Sequence, residues 1–259
     1  MAARRWTNFE TKRALYLYFQ LPFGQLHQHN LEIIKLAREV DRTPSSIAMK
    51  LANFASLDPK ITETGRKGLD GATALDREIW QEFNGDWTRL IIESELLNDG
   101  ETADDQSRGV LREDLTPFSF DRYKGFTETV FPTTLRIGQN FFRRAVLANY
   151  DLTCCVTGIA ETRLLNASHI VPWGVDEINR HNPANGLCLS ATFDRAFDRG
   201  LMTITIDGLV HLSSALLESE NSKTRSYFGA YQGNKIYPAR RFSPNPIFLR
   251  WHNDNCFIT

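Results

Sequence analysis

The sequence predicts an α+β chain, a helical first third followed by a region of short strands and short helices. Three observations carry this. Apolar residues recur at helical spacing in three capped segments before residue 60. The apolar pattern then fails over the polar, acidic stretch Asn98–Asp114. Beyond it, "LMTITIDGLVHLS" alternates as strands do on either side of an Asp-Gly turn. The expected organisation is a helical domain over 1–97, an acidic linker over 98–115 and a mixed domain over 116–259.

In "TNFETKRALYLYFQL", Thr7 or Asn8 can cap a helix and Glu10 follows Thr7 by three. Ala14, Leu15, Leu17 and Tyr18 supply its apolar positions. "NLEIIKLAREV" is a second amphipathic helix. "RTPSSIAMKLANFASLDP" begins a third at Thr43 or Ser45, with Pro44 in its first turn and Ile47, Met49, Leu51 and Phe54 as apolar contacts. The close succession of these two helices fits a helix-turn-helix, whose second helix reads the major groove, and equally a plain helical hairpin. "GATALDREIWQEFNGDWTRLIIESELL" is helical, with Trp80, Phe83 and Trp87 as core.

After the linker, "RIGQNFFRRAVLANYDLTCCVTG" places Phe141, Phe142, Val146, Leu147 and Tyr150 on one helix face. Arg136, Gln139, Arg143 and Arg144 lie on its polar sides. "RLLNASHIVPW" is extended. "NPANGLCLS" is a strand after an Asn-Gly turn, and "ATFDRAFDRG" is a short helix closed by Gly200. The tail "RFSPNPIFLRWHNDNCF" packs back onto this second domain.

The 259 residues are 42% apolar and 24% charged, the balance of a soluble globular protein. No run approaches the ~18 apolar residues of a membrane span, so no membrane partner is expected. The basic N-terminus has no clean apolar core or cleavage site, which argues against a signal peptide. Cys154, Cys155, Cys188 and Cys256 form no disulfide framework, so reduced thiols in a cytoplasm are expected. Net charge is -1 overall, but +4 over 1–60, -8 over 61–130 and +3 over 131–259. Two nucleic-acid-facing ends with an acidic connector would show this distribution, as would ordinary charge scatter.

The segment Leu164–Gly200 reads strand, loop, strand, helix. His169 stands late in the first strand and Asn185 at the start of the second. Asp194 and Asp198, four apart on the helix, share a face and can point into one pocket. Taken singly, each has an ordinary structural reading: a half-buried histidine, a turn, a solvated helix face. His181, His211 and His252 have no motif partner and read as structural or exposed. Arg143, Arg144, Arg195 and Arg199 suit phosphate contacts or plain surface charge.

Together, "ASHIVPW…NGLCLSATFDRAFDRG" resembles the HNH (His-Asn-His) endonucleases, whose catalytic unit is a ββα-metal fold. "RIGQNFFRRAVLANYDLTCCVTG" resembles the segment preceding the motif in the restriction-type branch. The resemblance implies that His169 is the general base in DNA phosphodiester hydrolysis and that Asn185 braces the loop holding it. It implies that Asp194, in place of the motif's last histidine, binds one divalent ion with Asp198 in support. Carboxylate oxygens favour Mg²⁺ or Mn²⁺.

Residue 168, where relatives carry a ligand, is Ser168. The cysteines lack paired CxxC spacing, so no structural zinc is expected. The implied role is restriction or defence against foreign DNA, with a homodimer or two sequential events needed for a double-strand break. The rival readings are a catalytically inactive HNH-fold DNA-binding or regulatory protein, and a nuclease held off by its acidic middle.

Overall fold

The computed structural model describes residues 4–95 and 138–259. The linker expected at 98–115 and Arg136 lie outside the described residues.

The first block contains α1 (Asn8–Phe19), α2 (Leu31–Glu39), α3 (Pro44–Leu57), α4 (Pro59–Thr62), α5 (Ala74–Phe83) and α6 (Trp87–Glu95). α1 begins with a reciprocal capping box. The Glu10 amide donates to Thr7 Oγ1 at 3.2 Å and the Thr7 amide to Glu10 Oε2 at 3.0 Å. Thr43 caps α3 with Pro44 in its first turn, and Thr73 and Asp76 make a second capping box at α5.

α1 packs against α2, α3, α5 and α6. Tyr18, Phe19, Phe54, Trp80, Phe83 and Trp87 fill the space between them, and an ion pair of Lys50 with Asp76 at 2.5 Å is buried among the helices. Stripping either charge of its partner there would be costly. Met49, expected among the apolar contacts, is instead 56% exposed. It lies two residues, about 200° of helix rotation, from the buried Ile47, so it faces away from the core.

The second block begins with α7 (Gln139–Asn149). β1 (Leu165–His169) pairs antiparallel with β2 (Gly186–Ser190), and α8 (Ala191–Asp198) follows at once. β3 (Met202–Ile204) and β4 (Val210–Leu212) form the expected hairpin around Asp207 and Gly208. α9 (Ser214–Leu217), α10 (Ser222–Gly229) and α11 (Pro246–Asn255) complete the block. Gly200, at φ +69°, closes α8.

Phe142, Val146, Leu165, Leu187, Leu189, Phe193 and Phe197 form a second core. Cys154, Cys155 and Cys188 are buried in it as thiols, and burial pushes Cys188 up to about 12. The Asn185–Gly186 pair is not the tight hairpin turn expected. Asn185 ends a 3-10 turn over Pro183–Asn185 and Gly186 is extended at φ -130°. The glycine serves a close approach: a Cβ there would sit 2.3 Å from Val146 Cγ2.

α11 packs on the second block through Phe248 and Leu249, as the tail was expected to do. The chain just before it also crosses to the helical bundle. The buried Arg241 donates to the carbonyls of Tyr18 at 3.0 Å and Leu21 at 3.3 Å, and its Nε lies 3.7 Å from Asp58. Asn149 at the end of α7 holds this crossing, accepting from the amides of Arg241 and Phe242 and donating to the Phe242 carbonyl. No helix among the described residues is long and apolar enough to cross a membrane.

Candidate active site

The β1–β2 hairpin and α8 enclose one side of a cleft of about 440 Å³, and α7 forms another. His169 ends β1 opposite Gly186 and lines this cleft. Because Gly186 has no side chain, α7 comes close enough for Phe142 to stack on the His169 ring, centroid to centroid at 3.7 Å and nearly parallel at 9°. Trp173 presents its ring edge-on to the same imidazole at 5.7 Å. His169 Nε2 lies 2.9 Å from the Arg180 carbonyl oxygen. A carbonyl can only accept, so Nε2 carries the proton and Nδ1 is the nitrogen with a lone pair.

Asn185 is fully buried. Its Oδ1 accepts from the Val171 amide at 2.8 Å, while its Nδ2 donates to the carbonyls of Val171 at 3.1 Å and Asn179 at 3.4 Å. Its own carbonyl accepts from the Ile170 amide at 2.9 Å. Asn185 thus ties the two residues after His169 to the start of β2, Ile170 through its carbonyl and Val171 through both ends of its side-chain amide. A carboxylate could not, because it has no proton to donate.

The loop between the strands has its own centre. Asp176 accepts from the amides of Ile178 and Asn179 and from Asn179 Nδ2. Although desolvation opposes it, these bonds and Arg180 hold the Asp176 carboxyl below the ordinary range.

Across the cleft, β1 and α8 face each other in matching pitch. Two residues along a strand advance about 6.6 Å and four along a helix about 6 Å. Asn166 and Ser168 therefore oppose Asp194 and Asp198. Asn166 Nδ2 donates to Asp194 Oδ2 at 2.7 Å. Ser168 is 3% exposed, and its Oγ lacks a hydrogen-bond partner at ordinary distance. It lies near enough to Asp198 to draw that carboxyl down. Asp198 is exposed as a whole, yet the net effect on its carboxyl is upward, to about 6, first from desolvation by the protein around it and then from the negative Asp194. Arg195 and Arg199 act the other way.

Two mutually repelling carboxylates beside an unsatisfied buried hydroxyl form a hard-oxygen donor set that fits a divalent cation of the Mg²⁺ type. Among the described residues, no three His, Cys, Asp or Glu side chains gather closely enough to hold a metal by themselves. Any full shell at this site therefore includes other oxygens, such as Ser168, solvent or phosphate.

The four arginines separate. Arg143 lines the cleft and donates to the Leu165 carbonyl at 2.9 Å. Arg195 and Arg199 are exposed at α8 and its end. Arg144 is placed elsewhere, pairing with Glu32 of α2 at 3.0 Å and lining a different cavity with Arg13, Tyr16 and Glu95. Adjacent helix residues diverge by about 100°, so Arg143 and Arg144 cannot serve one cleft together. His181, read as structural or exposed, is buried and bonded to the bundle, and His252 is buried against Phe197.

Asn166, Phe142 and Trp173 are contributors that the sequence pattern did not single out. Asn166 left one signal, its two-residue spacing from Ser168 on the strand opposite the aspartate pair.

Residues 154–205 match the family model described as HNH endonuclease. This segment belongs to the HNH family. The HNH segment contains His169, Asn185, Asp194 and Asp198, with both strands of the hairpin and α8. Phe142 and Arg143 reach its cleft from α7, outside the matched residues. A comparison with curated proteins found no match to the chain.

Proposed function

We propose that the chain is a metal-dependent DNA endonuclease, with His169 as general base and Asp194 and Asp198 as metal ligands. The observation that carries this reading is the bond from His169 Nε2 to the Arg180 carbonyl. It makes Nδ1 the basic nitrogen of a ring lining the carboxylate cleft.

Nδ1 takes a proton from water as the water oxygen bonds to phosphorus. The bond from phosphorus to the 3′-oxygen breaks, and that oxygen takes a proton from solvent, giving 5′-phosphate and 3′-hydroxyl ends. Mg²⁺ or Mn²⁺ at the aspartates supplies Lewis-acid neutralisation of the phosphate and leaving oxygen. Asn185 fixes the backbone that follows the base, and in this reading Arg143, from the cleft wall, and the exposed Arg195 and Arg199 contact phosphates.

In the wider reading, residues 1–97 are a DNA-facing domain and 116–259 the nuclease, acting in the cytoplasm in restriction or defence. α2 and α3 are the helix pair for such contact, with Thr43, Ser45 and Met49 on the exposed side of α3. A homodimer would bring two sites to two strands. The alternative reading is a catalytically inactive HNH-fold DNA-binding or regulatory protein.

A plasmid-nicking assay with Mg²⁺ or Mn²⁺ separates the two. His169→Ala is expected to lose roughly 10²–10⁴-fold in rate. Equal rates in the two proteins, or no cleavage by the wild type with any divalent ion, would overturn the nuclease reading.

A further inference from the structure

The carbonyl that fixes the His169 tautomer belongs to the peptide joining Arg180 to His181. That peptide is planar, so whatever anchors His181 also sets the direction of the Arg180 carbonyl. His181 is 7% exposed, and its anchor lies outside the HNH segment. Its Nδ1 is 3.0 Å from Thr88 Oγ1 on α6, in the helical bundle. Gly138, at φ +81°, passes so close that a Cβ there would lie 2.8 Å from His181 Nε2.

The His181 ring meets Trp173 edge-on at 5.2 Å, and Trp173 in turn meets His169. The Arg180 guanidinium sits over Trp173 at 4.9 Å. A continuous run of contacts therefore joins α6 to the imidazole by two routes. One passes through the Arg180–His181 peptide and the other through the Trp173 ring.

We propose that His181 and Thr88 are positioning residues for His169, so that the helical bundle completes the nuclease site by holding the Arg180 carbonyl on Nε2. The proposal rests on His169 being the base. If His181 turns, the Arg180 carbonyl leaves Nε2 and the imidazole can carry its proton on Nδ1, where it cannot accept one from water. The HNH segment then keeps its strands and helix but loses the nitrogen it needs. His181 and Thr88 touch no reacting atom; they act only through the peptide and the Trp173 ring.

The test uses the full chain. Thr88→Val removes the hydroxyl at nearly constant shape, at an exposed position. His181→Phe keeps a ring and removes its nitrogens, and Thr88→Ser restores the hydroxyl. Three quantities are measured: the ¹⁵N shifts of the His169 ring above its titration range, the nicking kinetics, and the melting temperature. In the wild type, the shifts are expected to report the Nε2–H tautomer. Thr88→Val and His181→Phe are expected to show mixed tautomers in folded protein and a kcat lower by about tenfold, with KM unchanged. Thr88→Ser should return both to wild-type values.

A purely structural role would lower the melting temperature and leave the tautomer of the folded fraction intact. Wild-type tautomer and kcat in folded Thr88→Val and His181→Phe would overturn the proposal. If His181→Phe does not fold, Thr88→Val alone decides. The ring shifts need no catalysis, so a changed tautomer in a chain that never cleaves DNA would sink the nuclease reading and leave the positioning role standing.

Discussion

Phe141 and Phe142 are neighbours on α7 and belong to different cores. Phe141 stacks on Tyr16 at 5.1 Å inside the helical bundle, and Phe142 stacks on His169 at 3.7 Å. A helix turns about 100° per residue, so one helix can present consecutive rings to two neighbours. Phe141→Leu and Phe142→Leu should each cost roughly 1–3 kcal/mol of stability, from lost apolar burial and the small void left in a packed core. Only Phe142→Leu should slow nicking, by about tenfold through a loosened imidazole. Denaturant titration and nicking rates on both variants check this, and equal rates would refute the role of the stack.

Asn185→Asp retains the size of the side chain and removes its two donated bonds. The new carboxylate would face the carbonyls of Val171 and Asn179. A loss of about 2–3 kcal/mol is expected from the unsatisfied buried groups, together with loss of nicking. A denaturation midpoint equal to the wild type would contradict it.

Asp194→Asn and Asp198→Asn separate metal binding from folding. Removing one of two repelling carboxylates should leave the metal-free melting temperature unchanged or raised. Mn²⁺ is expected to stabilise the wild type and not these variants, since a ligand stabilises only the state that binds it. Melting curves with and without Mn²⁺ are the measurement. Undiminished stabilisation in the double variant would place the ion elsewhere.

Stability should fall with pH in two separate windows. Burial lowers His252 to about 4, so the native state keeps it neutral while the unfolded chain takes up a proton below about 6.5. The unfolded state binds more protons there, so stability drops as pH falls from about 6.5 toward 4, at up to about 1.4 kcal/mol per pH unit, and then levels off. Glu10 acts lower. Burial opposes its charge, but Arg42, the Thr7 amide and Arg4 hold its carboxyl below the ordinary range. Its contribution is present above about 4.3 and is lost as pH falls further. Unfolding curves between pH ~5 and ~7 on His252→Gln should lose the upper slope, and an unchanged slope would show that another group carries it.

Arg241 and Arg240 are adjacent and should behave very differently. Arg241→Met strips Asp58 and the carbonyls of Tyr18 and Leu21 of a buried donor, at a cost of about 3–5 kcal/mol. Arg240→Met breaks only a largely exposed pair with Asp151, expected to cost less than about 1 kcal/mol. Similar midpoints for the two variants would disprove the buried crossing contact assigned to Arg241.

Local patterns made much of this protein legible. The Thr7–Glu10 cap, the Asp207–Gly208 turn, the glycine closing α8 and the i, i+4 pair of Asp194 and Asp198 are all short-range signals, and the structure has each of them. What stayed hidden acts across the chain or through the backbone. The Arg180 group that orients His169 is a carbonyl, which every residue has. Thr88 and His181 meet across 93 positions with nothing local to mark them. Arg144 was grouped with Arg143 because both are basic and adjacent, but helix rotation sends them apart. Gly186 looked like a turn glycine because Asn-Gly usually is one, and only the approach of α7 reveals why a side chain is excluded.

The Arg241 crossing also has a consequence for synthesis. Tyr18 and Leu21 leave the ribosome more than two hundred residues before the arginine that caps their carbonyls. Until residue 241 has been made, those carbonyls lack this donor. The bundle thus gains this contact only after the whole HNH segment has been synthesised.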